Sequence, residues 1–170
     1  AELLARAIAD SDEQVRGWAV RAAVEAYEQG IDRERIATLL IGTAERDDSL
    51  LVRRALAGAA QFVDPPTSWA LLERLIGQAE NEQDRDLPSM IWFALAQRAA
   101  DDLPRAFRTV DAGRLKRLSD DLTWYAPRLS AEGRELVAAR IESGSPDRQR
   151  RTIQLFAAGL AGSRGLELPP

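Results

Sequence analysis

The segment Asp10-Ser11-Asp12-Glu13-Gln14-Val15-Arg16-Gly17-Trp18-Ala19-Val20-Arg21 returns as Asp47-Asp48-Ser49-Leu50-Leu51-Val52-Arg53-Arg54-Ala55-Leu56-Ala57. Val15 and Val52 stand 37 positions apart. A self-similar unit of about that length marks a helical solenoid, in which each unit buries its apolar face only against its neighbours. With Val15 as position zero, offsets +3, +4, +7 and +8 hold Trp18, Ala19, Ala22 and Ala23. From Val52 the same offsets hold Ala55, Leu56, Ala59 and Ala60, and from Leu87 they hold Met90, Ile91, Ala94 and Leu95. These offsets describe one apolar stripe on a helix. Alanine at +7 in all three copies predicts that helices approach closely there. A fourth copy starts at Leu122 with Tyr125, Ala126 and Leu129, and Pro127 inside it predicts a kink or an early end. A fifth pair carries Leu136, Val137 and Ile141 on its first helix and Ile153, Phe156, Ala157 and Leu160 on its second.

Start and stop signals divide the chain into helix pairs. Ser11 with Gln14 fits a capping box, and Asp64 before Pro65, Ser145 before Pro146 and Asp86 two before Pro88 fit helix starts. Gly30 and Gly144 fit helix ends. The expected pairs are 1–9 with 12–28, 33–45 with 49–62, 66–80 with 87–100, irregular pieces over 103–128, and 131–143 with 147–161. The fold class is therefore all-α, an α-α superhelix of about five helix pairs over residues 1–161. Residues 162–170 read as a C-terminal linker.

Composition bounds the chemistry. The chain has 170 residues, 45% hydrophobic and 29% charged, with a net charge of −4. Lys116 is the only lysine, so arginine carries nearly all the positive charge. The acidic total argues against a nucleic-acid surface. There is no cysteine and no histidine. That closes off disulfides, thiolate and structural zinc sites, a Ser-His-Asp triad, a Cys-His pair and covalently attached haem. No apolar run approaches the ~20 residues that span a bilayer, so no membrane insertion is expected. No catalytic, metal or cofactor residues are singled out, and no cofactor is expected. Because the chain opens directly on an amphipathic helix, it reads as an excised domain.

Two sets of residues stand out. Arg16 and Arg53 occupy equivalent positions after acidic turns that contain Asp12 and Asp48. They are expected to form a structural ladder, each arginine bonding carboxylates or carbonyls of its own and the neighbouring turn. An anion-binding row is the alternative. Trp92, Phe93 and Trp124 could line a groove that stacks a ring or grips a peptide, with core packing as the alternative. The basic clusters Arg114, Lys116, Arg117 and Arg148, Arg150, Arg151 have acidic neighbours and read as solvated faces.

An acidic turn followed by Val-Arg and an apolar helix resembles the HEAT-repeat family. The string Asp86-Leu87-Pro88-Ser89-Met90-Ile91-Trp92-Phe93 and the ending from Leu155 to Gly165 are similar to the HEAT segment of planctomycete-type membrane-bound dehydrogenases. The resemblance implies a connector between a sugar-dehydrogenase-like propeller and a cytochrome c segment, in the cell envelope or periplasm. It carries no catalytic or haem residue onto this chain. The expected function is a non-catalytic protein-interaction or spacer module whose partner is an adjacent domain or another polypeptide, with a homodimer as a further possibility. The alternative of another class is a HEAT-like DNA glycosylase acting on alkylated bases, which would use Trp92, Trp124 and arginines in a cleft.

Overall fold

The computed structural model describes residues 2–161; the expected linker at 162–170 lies outside the described residues. Among those residues there are ten α-helices and no strand: α1 (Glu2–Ile8), α2 (Glu13–Glu28), α3 (Arg33–Arg46), α4 (Leu50–Ala59), α5 (Pro65–Gly77), α6 (Leu87–Asp101), α7 (Leu103–Ala112), α8 (Lys116–Leu129), α9 (Ala131–Ser143) and α10 (Pro146–Leu160). The order makes five consecutive pairs. The second helices form one continuous row in which α2 packs on α4, α4 on α6, α6 on α8 and α8 on α10. The first helices form a shorter row in which α3 packs on α5 and α5 on α7. The chain is an all-α, solenoid-like stack, and its core runs as a band between the two rows.

The repeat stripe explains that band. Val52, Leu56 and Ala59 of α4 with its C-cap Ala60, and Leu87, Ile91, Ala94 and Leu95 of α6, are buried. First helices supply the opposing side chains, with Ile36 and Leu40 from α3 and Leu71, Leu72, Leu75 and Ile76 from α5. In α2 the stripe is split: Ala19 and Ala23 are buried, but Val15, Trp18 and Ala22 lie in solvent. The stripe over-reads the buried face of α2: the core side of that helix is set by Ala19, Val20, Ala23, Val24 and Tyr27, so the +3 and +7 positions fall on its outer edge.

Some boundaries differ from expectation. Residues 103–128 form a regular fourth pair rather than irregular pieces. Pro127 sits in the last turn of α8, so only two helical residues follow it, and its carbonyl accepts a bond from Arg134. The helix at 66–80 stops at Gly77 and is followed by a short 3-10 turn over Ala79–Gln83.

Caps also differ in detail. Asp12, not Ser11, caps α2 by accepting the Gln14 N–H at 2.8 Å. Asp86 makes no side-chain cap to α6; Asp84 takes that role, accepting the N–H groups of Asp86 and Leu87. Gly30 closes the turn after α2 with φ +80°, a conformation that glycine adopts at no steric cost.

Candidate functional site

The turns between paired helices form a hydrogen-bonded ladder centred on Asp47. Arg16 reaches across to the second turn and forks the Asp47 carboxylate, with Nε and Nη2 at 2.7 and 3.1 Å. Its remaining nitrogen donates to the Asp10 and Ser11 carbonyls of its own turn at 3.0 and 3.1 Å. Arg53 repeats the pattern one pair further on. It donates to the Asp47 carbonyl at 3.1 Å, to Asp48 Oδ1 at 3.2 Å and to Asn81 Oδ1 of the third turn at 3.2 Å. Asn81 is fully buried and passes the chain of bonds on to the Leu75 carbonyl at 2.7 Å.

Two expected ladder members have lesser parts. Asp12 is a helix cap; its carbonyl accepts the Arg16 N–H, but its carboxylate does not meet the guanidinium. Asp48 pairs with Arg53 but lies wholly in solvent, where an ion pair contributes little. The strut that sequence reading did not single out is Asp47, and its signal was present: it stands six residues before Arg53, as Asp10 stands six before Arg16. Burial alone would raise the Asp47 carboxyl. The Arg16 fork, the Ser49 N–H and the charges of Arg16 and Arg53 outweigh it and hold the group below its ordinary value. The same fork raises Arg16. Each guanidinium nitrogen of Arg16 and Arg53 donates to a protein oxygen, the arrangement of a structural ladder rather than of an anion-binding row.

A second strut, Arg54 to Asp84, runs beside it. Nε and Nη2 of Arg54 meet the Asp84 oxygens at 3.2 and 2.6 Å. The Arg54 bond, together with two backbone N–H donors, lowers the Asp84 pKa to about 2 against the pull of burial. That sets a pH dependence. A folded-state pKa below the unfolded value of ~3.9 contributes stability that is complete above about pH 4 and is lost as pH falls through about 2. Asp47 and Asp64, also lowered, act in the same direction, whereas Asp121, raised by burial, acts against them. The expected result is a urea midpoint that is flat from pH 7 to 5 and falls below pH 4. Asp84→Asn should remove part of that acid limb and about 1–2 kcal/mol at neutral pH, after allowing for screening at the half-exposed Arg54. An unchanged acid limb in Asp84→Asn would contradict this assignment.

The aromatics divide into two groups. Trp92 meets Tyr125 edge-on, with centroids 5.5 Å apart and planes at 84°, and Tyr125 stacks against Trp124 at 6.5 Å and 26°. Arg128 caps Trp124 with its guanidinium 4.2 Å from the ring centre. This cluster fills the seam between α6 and α8, where Trp92 and Trp124 are half-buried. Phe93 is not part of it. One residue along a helix is a rotation of about 100°, so Phe93 turns away from the seam and is 59% exposed. Trp92, Phe93 and Trp124 therefore do not share one groove.

Phe93 belongs instead to an exposed face of the second-helix row. Trp18 is 65% exposed, with Arg21 over its ring at 4.8 Å, and Phe62 after α4 is 57% exposed. Between these ridges lies a groove of ≈ 330 Å³ lined by Arg21, Val24, Arg54, Ala55, Gly58, Ala59, Phe62 and Met90. Sequence reading missed it because the +3 stripe position was assigned to the core. Trp18, Ala55 and Met90 all stand at that position, and the last two line the groove.

The basic clusters are largely neutralised. Arg117 meets Asp121, Arg148 meets Asp111, Arg150 meets Asp147 and Arg151 meets Asp120. Among the described residues no group of three or more acidic side chains is arranged to hold a metal ion, and no helix is long and apolar enough to cross a membrane. Comparison with family models, with curated proteins and with solved structures found no match, so the functional reading rests on this chain's own geometry.

Proposed function

We propose that the chain is a non-catalytic, HEAT-like protein-interaction or spacer module that works through the exposed face of its second-helix row. The observation that carries the reading is the exposure of Trp18, Phe62 and Phe93 on that face. Large aromatics left in solvent gain nothing for the fold, and they are the side chains most enriched where proteins bind one another. The ladder supports the same reading, because its arginines and Asp47 are consumed in holding the turns together and leave the row of helices as a rigid platform. The glycosylase alternative is weaker, because Trp92 and Trp124 are engaged with Tyr125.

Two measurements test the proposal. Trp18→Ser, Phe62→Ser and Phe93→Ser together should change unfolding free energy by less than about 1 kcal/mol, as expected for exposed sites. A photo-crosslinking residue at position 18 or 93 of the natural full-length protein should capture one discrete polypeptide segment, far more often than the same residue at the first-row position Arg108. Equal capture at all three positions, or turnover abolished by a single carboxylate substitution, would overturn the reading.

A further inference from the structure

The groove on the second-helix row has a shape that the repeat register explains. At offset +6 the successive copies hold Arg21, Gly58, Phe93 and Arg128. At offset +3 they hold Trp18, Ala55, Met90 and Tyr125. In both rows the large side chains of α2 and α6 flank a small one on α4. The result is a valley over α4, walled by Arg21 on one side and Met90 on the other, with Arg54 and Phe62 at its ends.

Gly58 has no visible reason to be glycine within this chain. It lies in α4, its φ is ordinary, and a Cβ built on it meets nothing within 4 Å. Glycine is a poorer helix former than alanine. Gly77, the last residue of α5, is also open, but Gly133 and Gly159 differ: a Cβ on either would strike the backbone of a neighbouring helix. At Gly58 the open space faces the groove.

Charge distinguishes this groove from its neighbours. Its lining contains two arginines and no carboxylate, on a chain whose net charge is −4. Four other clefts between the helices each carry at least one acidic side chain in their walls. Arg54 is tied to Asp84. Arg21 lies on Trp18 and has no carboxylate partner among the described residues.

We infer that the α2–α4–α6 valley binds a polypeptide segment that carries an acidic residue beside a bulky apolar one. The apolar side chain lies on Ala55 and Gly58 between Met90 and Phe62, and the carboxylate meets Arg21. Glycine at 58 lets the segment approach the helix closely. At ≈ 330 Å³ the valley is at the small end of ligand-pocket size, room for about one or two side chains. The inference rests on the interaction-module reading and adds to it the position and the chemistry of the partner.

The test is selection of a random dodecapeptide library displayed on phage against the immobilised chain, followed by titration of the enriched peptide against variants. Enriched peptides should carry Asp or Glu within four residues of Leu, Ile, Phe or Trp. Binding should fall at least tenfold in Arg21→Glu and recover in Arg21→Lys. Gly58→Ala should weaken binding at least tenfold while raising Tm by about 2–3 °C, a combination that a purely structural glycine would not produce. No enrichment, enrichment of peptides without acids, or enrichment of stretches of this chain's own sequence would each overturn the inference. Binding that depends on Trp18 and Phe93 but ignores Arg21→Glu and Gly58→Ala would overturn it while leaving the interaction-module reading intact.

Discussion

Arg53→Ala should cost about 3 kcal/mol, the range reached when one partner of a buried charged network is removed. Arg53 is only 5% exposed, and its three donors go to three different oxygens in two successive turns. Deleting it strands Asn81 Oδ1 in a fully buried site and leaves the Asp47 carbonyl short of a donor. It also opens space that the alkyl stem of the arginine fills. In a chain of this size the loss corresponds to a fall in Tm of about 6–12 °C. Asp48→Ala, which removes the solvent-exposed partner, should stay within about 0.5 kcal/mol. The contrast between the two variants separates the buried hydrogen bonds from the visible ion pair. A double-mutant cycle between Arg53 and Asn81 should give a coupling of about 1 kcal/mol or more. If Arg53→Ala costs less than 1 kcal/mol in chemical denaturation, the ladder is not what holds the second turn to the third.

Gly133→Ala should be destabilising by about 2–3 kcal/mol, although alanine is the better helix former by about 1 kcal/mol. Gly133 is buried in the first turn of α9, where a Cβ would fall on the carbonyl of Ala126 in α8 and crowd Leu103 of α7. The obstacle is backbone, which cannot rotate aside as a side chain would. The two helices would have to separate, loosening contacts that extend to Val137 and Leu122. Denaturant unfolding of Gly133→Ala checks the sign: stabilisation would mean that α8 and α9 stand further apart than this packing requires. Gly58→Ala is the opposite case in the same fold, expected to stabilise.

The helix pairs were legible in the sequence because a helix that packs on two neighbours must repeat its apolar residues every three or four positions, and the three clearest copies keep one register. Val52, Leu56, Leu87, Ile91 and Leu95 could be placed in the core from that spacing. The ladder was legible for a related reason: a guanidinium one turn into a helix, after an acidic turn, has few places to go except the helix ends around it. The fourth pair was harder to read, because Pro127 is a strong local signal whose cost depends on where in the helix it falls.

The exposed face was not legible. Trp18, Ala55 and Met90 share a stripe position, yet one stands in solvent and two line a groove, because that position lies at the edge of the buried face, and what flanks the edge is set by the neighbouring second helices. Trp92 and Phe93 are adjacent in the chain but face different surroundings, because about 100° of helical rotation sends one into the seam with Tyr125 and the other into solvent. Local periodicity, set by the helix and the chain, was written in the sequence itself. Which edge of each stripe is covered, which turn a given arginine reaches, and where a glycine opens a valley were decided only by the packing of helices far apart in the chain, since those are properties of distances between segments and not of any one segment.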